Sequence, residues 1–292
     1  MPDGSVTVRG VTLHYLERGE PSGPLALVLH GFPDSPVSFT ALLDAIASAG
    51  YHAVAPWLRG FAPSSLAPDA SYHVGSLAAD ANGVHAAFGA DDRAVLVGHD
   101  WGAAATYAAL AVAPERWRRG VAMAVPPLAA MAAAMASPDQ LRRSWYMWLF
   151  NTPLGEGALS AGGLELIDML WSQWSPGLDA VAAAPCIAAA KAALADPANR
   201  TAALGYYRAL FAPAPTATDA AAAHAATLVT PSPAVCYLHG VDDGCIGIGE
   251  IGNPLDFLAQ GSRFVRVEGA GHFVHVEKPE VVAEQLRSFL SS

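Results

Sequence analysis

The sequence GHDWG at residues 98–102 lies between a predicted buried strand and a predicted helix. A sharp strand-to-helix turn that exposes a reactive side chain needs small residues two positions before and after it, and Gly98 and Gly102 meet that need. The reactive position of such a turn usually holds serine, but here it holds Asp100. Aspartate before a helix is often a simple N-cap. We favour a nucleophile because of the two flanking glycines.

A carboxylate nucleophile restricts the chemistry. It attacks amides and ordinary esters poorly, but it can displace a leaving group from an sp3 carbon and form an alkyl ester with the enzyme. Hydrolysis of that ester needs a base and an oxyanion hole. HGFP at 30–33 follows an apolar run and offers the backbone N–H of Phe32, and the N–H of Trp101 follows the nucleophile. GAGH at 269–272 places His272 after the last predicted strand as the base.

An acid that orients His272 is expected after the preceding strand. GVDD at 240–243 supplies two adjacent candidates, and the usual spacing from the glycine favours Asp243, with Asp242 as the alternative. Other histidines near the motifs are predicted to be structural, bonding the backbone of loops: His30, His99 and His239.

The rest of the chain alternates short apolar runs with helical patterns, which predicts a mostly parallel sheet flanked by helices. Strands are predicted at residues 6–9, 12–16, 25–29, 52–55, 94–97, 120–125, 234–238 and 262–267. From about Pro126 to Thr230 only helical patterns remain, between proline-rich bounds. We therefore predict an α/β core at 1–126, a helical insertion at 127–230 and the end of the core at 231–292.

Composition excludes several classes of function. The chain has 292 residues, of which only 14% are charged, and a net charge of −10 without a basic run, so neither nucleic acid nor an anionic membrane is expected as a partner. Its start lacks the features of a signal peptide, and three cysteines without metal-ligand spacing suit a reducing compartment, so we expect a cytoplasmic protein. No cofactor, metal or disulfide is predicted.

With these motifs the chain resembles the α/β-hydrolase fold superfamily, and within it the epoxide hydrolases that use aspartate as the nucleophile. The resemblance implies an eight-stranded, mostly parallel sheet with a helical cap domain inserted after strand 6. It also implies two cap tyrosines that hold and protonate the epoxide oxygen. Trp-Tyr-Met at 145–147 resembles the first motif and Tyr-Tyr-Arg at 206–208 the second, which makes Tyr146 and Tyr207 the candidates.

The implied reaction converts an apolar epoxide to a vicinal diol, with the epoxide and water as the reactants. Opening an epoxide releases a strongly basic alkoxide, and a phenol with a pKa of about 10 can donate a proton to it while remaining protonated at neutral pH. Trp101, Phe32 and Trp57 are expected to contact the substrate. Trp57 lies where many family members carry an acidic residue, which leaves the shape of the pocket open. A homodimer is also left open.

Two alternatives remain. A haloalkane dehalogenase shares the aspartate nucleophile and often the following tryptophan, but Phe32 supplies no side-chain donor for a halide. A non-catalytic small-molecule receptor on the same scaffold is the other, because a fold does not determine a function. The two tyrosines favour an oxygen leaving group and hence the epoxide.

Overall fold

Eight strands form a single sheet in the computed structural model, which describes residues 1–291. They are β1 (Gly4–Val8), β2 (Val11–Arg18), β3 (Leu25–Leu29), β4 (His52–Pro56), β5 (Val95–His99), β6 (Arg119–Met123), β7 (Val235–Gly240) and β8 (Arg263–Val267). Their order across the sheet is β1-β2-β4-β3-β5-β6-β7-β8. The predicted eight-stranded α/β fold is confirmed, and each predicted strand overlaps an observed one.

The strands from β4 to β8 run parallel to one another, and β2 runs antiparallel to both of its neighbours. β1 pairs antiparallel with β2 and β2 antiparallel with β4, whereas all pairs from β4 to β8 are parallel. A parallel strand covered on both faces reads as a continuous apolar run, and every residue of β3 and β5 is buried. The carboxyl ends of these strands share one edge, where loops from separate parts of the chain meet.

Helices follow most of the strands and account for the rest of the regular structure. Within the core they are α1 (Thr40–Ser48), α2 (Val74–Ala87), α3 (Trp101–Val112), α12 (Val274–Glu277) and α13 (Pro279–Ser291). Between β6 and β7 they are α4 (Leu128–Ala134), α5 (Pro138–Arg143), α6 (Trp145–Phe150), α7 (Leu154–Ser160), α8 (Glu165–Trp174), α9 (Ala180–Ala193), α10 (Pro197–Ala209) and α11 (Thr218–Ala225). Short 3₁₀ helices occur at Pro36–Phe39, Pro114–Arg116, Ala161–Gly163, Ala226–Leu228 and Pro254–Phe257.

The chain between β6 and β7, here called the insertion, is helical and contains no strand among the described residues. Its last helix, α11, packs on core helix α2. A Cβ on Gly75 of α2 would lie 2.2 Å from the carbonyl oxygen of Ala220, so this close approach requires glycine. The division of the chain at residues 126 and 230 stays a prediction.

Residues 1–291 include no single helix with the length and apolar character needed to cross a membrane. The pair α9 and α10 reaches that length and composition only when the two helices are counted together, and they are bent by 101° at their junction.

Candidate active site

Asp100 occupies a strained turn between β5 and α3. Its φ of 53° and ψ of −117° are unusual for a residue with a side chain. The flanking glycines make the turn sterically feasible: a Cβ on Gly98 would lie 2.1 Å from the carbonyl oxygen of Gly102, and a Cβ on Gly102 would lie 2.1 Å from that of Leu29. The turn therefore has the geometry expected of a nucleophile elbow.

The carboxylate of Asp100 does not cap the helix that follows it. Its side chain makes no capping hydrogen bond to α3. Instead, Oδ1 accepts a hydrogen bond of 2.7 Å from the backbone N–H of Phe32, in the loop after β3. Gly31 lets this loop approach, because a Cβ there would lie 2.2 Å from Asp100 Oδ1. The contact brings one predicted oxyanion donor to the carboxylate, and Trp101, the other, is the next residue.

His272 lies between two carboxylates in the loop after β8. Its Nδ1 is 3.0 Å from Oδ2 of Asp243, and its Nε2 is 3.6 Å from Oδ2 of Asp100. Both imidazole and Asp243 are buried. Burial by itself lowers the pKa of His272, but the charge of Asp243, the hydrogen bond to it and the nearby carboxylate of Asp100 outweigh burial and raise that pKa well above its usual value.

The adjacent aspartates after β7 differ in position. Oδ1 of Asp243 accepts hydrogen bonds from the backbone N–H of Cys245 and of Ile246, at 2.7 and 2.8 Å, which leaves Oδ2 directed at His272. Asp242 is exposed, and its N–H bonds to the carbonyl of Ala270. Of the two candidates, the structure brings Asp243 to the histidine.

The three histidines predicted to be structural each bond the backbone. His30 Nε2 accepts from the N–H of Leu58 at 3.0 Å, so its Nδ1 carries the proton and donates to Gly31. Burial lowers the pKa of His30 to about 4, which keeps it neutral. His99 Nε2 lies 3.0 Å from the carbonyl of His272, and His239 Nε2 lies 3.0 Å from that of Ile246.

The loop that carries His272 is held by residues that no motif indicated. The backbone N–H of His272 donates to the carbonyl of Trp174 at the end of α8. Ser175 then accepts from the N–H of Phe273 at 3.0 Å and donates to Glu277 at 2.6 Å, and Glu277 also accepts from Gly271. Trp174 and Ser175 of the insertion thus hold the backbone of His272 and Phe273 by hydrogen bonds. The serine and the glutamate lie about one hundred residues apart, so their local sequence contains no signal for this contact.

The two predicted tyrosines lie next to each other and line the same cavity as Asp100. Tyr146 of α6 and Tyr207 of α10 are both buried, and their rings are perpendicular with centroids 5.6 Å apart. The Tyr207 ring also contacts Trp101, at 5.1 Å, and Phe32, at 5.3 Å. Burial, reinforced by the nearby negative charge of Asp100, raises the pKa of each phenol well above 10. Tyr206 instead donates to the carbonyl of Arg59 and packs.

The hydroxyl groups of these two tyrosines differ. That of Tyr146 lies 3.2 Å from the sulfur of Cys245, whereas that of Tyr207 has no hydrogen-bond partner among the described residues. The indole N–H of Trp101 is likewise buried without a partner in the described part of the chain. The indole of Trp101 nevertheless interacts with the hydroxyl of Tyr207 and partly offsets the rise in the pKa of that phenol, although the two groups form no good hydrogen bond with each other.

A cavity of about 560 Å³ contains Asp100. Its other polar side chains are the two tyrosines and Trp101, and its remaining walls are aliphatic, methionine and aromatic residues. They are Val74, Ala104, Val125, Leu128, Met131, Ala132, Met135, Leu141, Met147, Trp148, Leu210, Phe211 and Ile246. None of the described lining residues is a lysine, an arginine or a glutamate, so the cavity suits an uncharged apolar molecule.

Two expected substrate contacts are absent from that lining. Phe32 packs its ring against the rings of Phe150 and Tyr207. Trp57 is buried, and its backbone bonds to His14 and Ser64. Trp101 alone of the three lines the cavity. Among the insertion's aromatic residues Trp148 lines it, whereas Trp171 donates its indole N–H to the carbonyl of Pro33 and packs in the interior.

Two buried clusters have the composition of a metal site. One is Asp34, His99 and His275, and the other is Asp243, Cys245 and His272; in each, the potential ligand atoms lie within 4.8 Å of one another. In the first, the hydroxyl of Ser38 bonds both Asp34 and His275. In the second, the histidine and the aspartate bond each other. These hydrogen bonds already use several of the atoms that a metal would need.

Comparison with known proteins identifies the family. A family model described as the alpha/beta hydrolase fold matches residues 24–279. Epoxide hydrolase A of Mycobacterium tuberculosis is 29% identical, over 98% of this chain and 96% of that protein. The AB hydrolase superfamily protein YfhM of Bacillus subtilis is 26% identical, over 98% of this chain and 97% of that protein.

Solved structures of proteins named epoxide hydrolases superpose on nearly the whole chain. Epoxide Hydrolase A from Mycobacterium thermoresistibile superposes with a TM-score of 0.80 at 25% identity, covering 100% of this chain and 99% of that one. The Bacillus megaterium epoxide hydrolase in complex with an inhibitor has a TM-score of 0.80 at 23% identity, covering 99% and 100%, and shows the common fold. Because the family model spans most of its length, this chain belongs to the alpha/beta hydrolase fold family.

Proposed function

We propose that this protein is an epoxide hydrolase that converts an apolar epoxide to a vicinal diol through an alkyl ester on Asp100. The observation that carries the proposal is the placement of one carboxylate against two buried phenols in an apolar cavity. The carboxylate is a nucleophile for an sp3 carbon, and the phenols are acids for the oxygen that leaves it. The names of the relatives point to the same reaction.

In the first step a carboxylate oxygen of Asp100 attacks one epoxide carbon, and the bond from that carbon to the ring oxygen breaks. The oxygen takes a proton from Tyr207 or Tyr146, while the other phenol donates a hydrogen bond to it. Since the pKa of both phenols is raised above 10, both carry their protons at neutral pH. The product is a hydroxyalkyl ester of Asp100.

In the second step water attacks the carbonyl carbon of the ester. His272 takes a proton from that water through Nε2, while Asp243 holds Nδ1 in its protonated form. The backbone N–H of Phe32 already donates to Oδ1 of Asp100, so it is available to the oxyanion, and the N–H of Trp101 is the second donor we assign. When the intermediate collapses, the departing alkoxide takes the proton of the new carboxyl group, which releases the diol and restores the carboxylate. The proton on His272 then returns to the phenolate left by the first step.

A haloalkane dehalogenase is the second candidate, and one observation favours it. Trp101 follows Asp100 and lines the cavity, and its indole N–H, which has no hydrogen-bond partner among the described residues, is a candidate donor to a leaving halide. It could equally donate to an epoxide oxygen. The two phenols favour the epoxide, because a halide leaves without taking a proton.

A substrate panel tests the proposal. Aliphatic and aryl epoxides are offered beside a haloalkane of matched chain length, to the wild-type enzyme and to Asp100→Ala. We expect diol from epoxides with the wild type only. Release of halide without turnover of any epoxide would favour the dehalogenase, and diol formation by Asp100→Ala at the wild-type rate would remove the nucleophile. Binding of these molecules with no turnover by the wild type would indicate a receptor.

A further inference from the structure

The phenol of Tyr146 is held by a neighbour that the reaction described above does not use. Its hydroxyl lies 3.2 Å from the sulfur of Cys245, which is buried. Burial raises the pKa of this thiol, so it is neutral and can either donate its S–H or accept. The thiol occupies one side of the hydroxyl and restricts the directions in which the phenol can donate. The hydroxyl of Tyr207 has no hydrogen-bond partner among the described residues, although it interacts with the indole of Trp101.

Cys245 is itself fixed by two backbone hydrogen bonds. Its N–H donates to Oδ1 of Asp243 at 2.7 Å, and its carbonyl accepts from Nε2 of Gln140 at 2.9 Å. The side-chain oxygen of Gln140 accepts from the N–H of Gly247 at 3.0 Å. The side-chain amide of Gln140 thus bonds to the backbone of both Cys245 and Gly247, as the backbone of a neighbouring β-strand would.

Gln140 connects this loop to the segment that carries Tyr146. It lies on α5, is completely buried, and uses its second N–H on the hydroxyl of Ser144, which precedes α6. Arg143 of the same helix donates to the carbonyl of Asp243 at 2.9 Å. The acid that orients His272 and the phenol that we assign as a proton donor are therefore linked through one buried set of hydrogen bonds.

We propose that Gln140 and Cys245 are positioning residues that set the phenol of Tyr146 relative to Asp100. This inference rests on the proposed function. Removing the amide of Gln140 would leave the carbonyl of Cys245 and the N–H of Gly247 unpaired in a buried place, a state that a structure relieves by moving. Movement of the loop would shift the sulfur of Cys245, and the phenol of Tyr146 that it contacts would then no longer point at the epoxide oxygen.

The first test measures formation of the ester in a single turnover with an epoxide that the wild type accepts. We expect Gln140→Leu to slow this step about ten- to a hundredfold, the size expected of a small misplacement of a reacting group, with KM little changed. Cys245→Val should slow it as well, and Cys245→Ser, which keeps a hydrogen-bonding group, should restore most of the rate. Equal rates for the valine and serine variants would overturn the role of the thiol.

A double-mutant cycle separates positioning from a general loss of structure. If Gln140 acts through Tyr146, the effect of Gln140→Leu should vanish in a Tyr146→Phe background and persist in a Tyr207→Phe background. An equal loss of rate in both backgrounds would overturn the proposal. If Gln140→Leu does not fold, the same cycle is made with Cys245→Val.

Asn199→Leu is the matched control. Asn199 is also a buried amide of the insertion, and its Nδ2 donates to the carbonyl of Gly60 in the core at 2.8 Å, away from the loop after β7. It should lower thermal stability while the rate of ester formation stays within about twofold of the wild type. A slowing equal to that of Gln140→Leu would overturn the proposal. Failure of the proposed function is distinct, because the wild type itself would then form no ester.

Discussion

Nε2 of His272 lies 3.6 Å from Oδ2 of Asp100. This separation is too long for a good hydrogen bond, but it is short enough for each group to experience the charge of the other. Before the reaction the carboxylate of Asp100 therefore contributes to the raised pKa of His272. Formation of the ester neutralises that carboxylate, which lowers the affinity of the imidazole for its proton at the stage when a base is needed.

Removing the base should stop the reaction halfway. We expect His272→Ala to consume about one equivalent of epoxide and then stall, because Asp100 can still attack but the ester cannot be hydrolysed. Intact mass spectrometry should find the protein heavier by the mass of the epoxide. Asp100→Ala, which offers no carboxylate, should gain no mass. Continued turnover by His272→Ala at the wild-type rate would contradict the role of the histidine.

The pH dependence of ester hydrolysis should reflect the pKa of His272 in the ester. Only the neutral imidazole accepts a proton, so hydrolysis should decline as the pH falls through that pKa. Asp243 still raises this pKa in the ester but Asp100 no longer does, so the midpoint should lie below the pKa of His272 in the free enzyme. Rapid-quench measurement of the decay of the ester from about pH 5 to 9 checks this. A rate that stays flat from about pH 5 to 8 would exclude His272 as the base.

Each phenol should contribute to ester formation and not to ester hydrolysis. Tyr207→Phe and Tyr146→Phe are each expected to slow ester formation about a hundredfold, the range typical of general acids. Because the pKa of both tyrosines is raised above 10, the wild type should keep its rate of ester formation up to about pH 9. Tyr206→Phe is the matched control, since its hydroxyl bonds the carbonyl of Arg59 and should affect stability alone. An unchanged rate in Tyr207→Phe would remove its assigned role.

The two aspartates after β7 should differ sharply on mutation. Asp243→Asn can retain the hydrogen bonds from Cys245 and Ile246 but no longer holds His272 in the required tautomer, so ester hydrolysis should fall about a thousandfold or more. Asp242→Asn changes an exposed side chain and should leave the rate near that of the wild type. Comparable losses in the two variants would contradict the assignment of Asp243.

Local sequence predicts the positions of residues whose environment is a short stretch of backbone. Gly98 and Gly102 indicate the turn that carries Asp100, and the spacing after the strand glycine favours Asp243, the aspartate that lies beside His272 in the structure. The catalytic roles of these residues stay predictions. The resemblance to a known family added Tyr146 and Tyr207, which helical spacing alone could not distinguish from packing residues. Predicted strand ends differ from the observed ones by at most two residues.

Contacts between distant segments were not predictable. Gln140 meets the loop at Cys245 and Gly247 only because the insertion folds back over the edge of the sheet, and an isolated glutamine on a short helix carries no signal of that. Trp57 is expected near the substrate because it follows a strand of the core, yet it does not line the cavity, whose walls include residues of α4, α6 and the end of α10. Which loop faces the cavity depends on the packing of the insertion.

Oxygen labelling tests the ester on Asp100 most directly. A single turnover in ¹⁸O-labelled water with enzyme in excess should yield unlabelled diol, with one label in the carboxylate of Asp100, because the diol takes its new oxygen from the aspartate. Later turnovers should then release labelled diol. Labelled diol from the first turnover, with no label in a peptide containing Asp100, would show that water attacks the epoxide directly and would contradict the covalent mechanism.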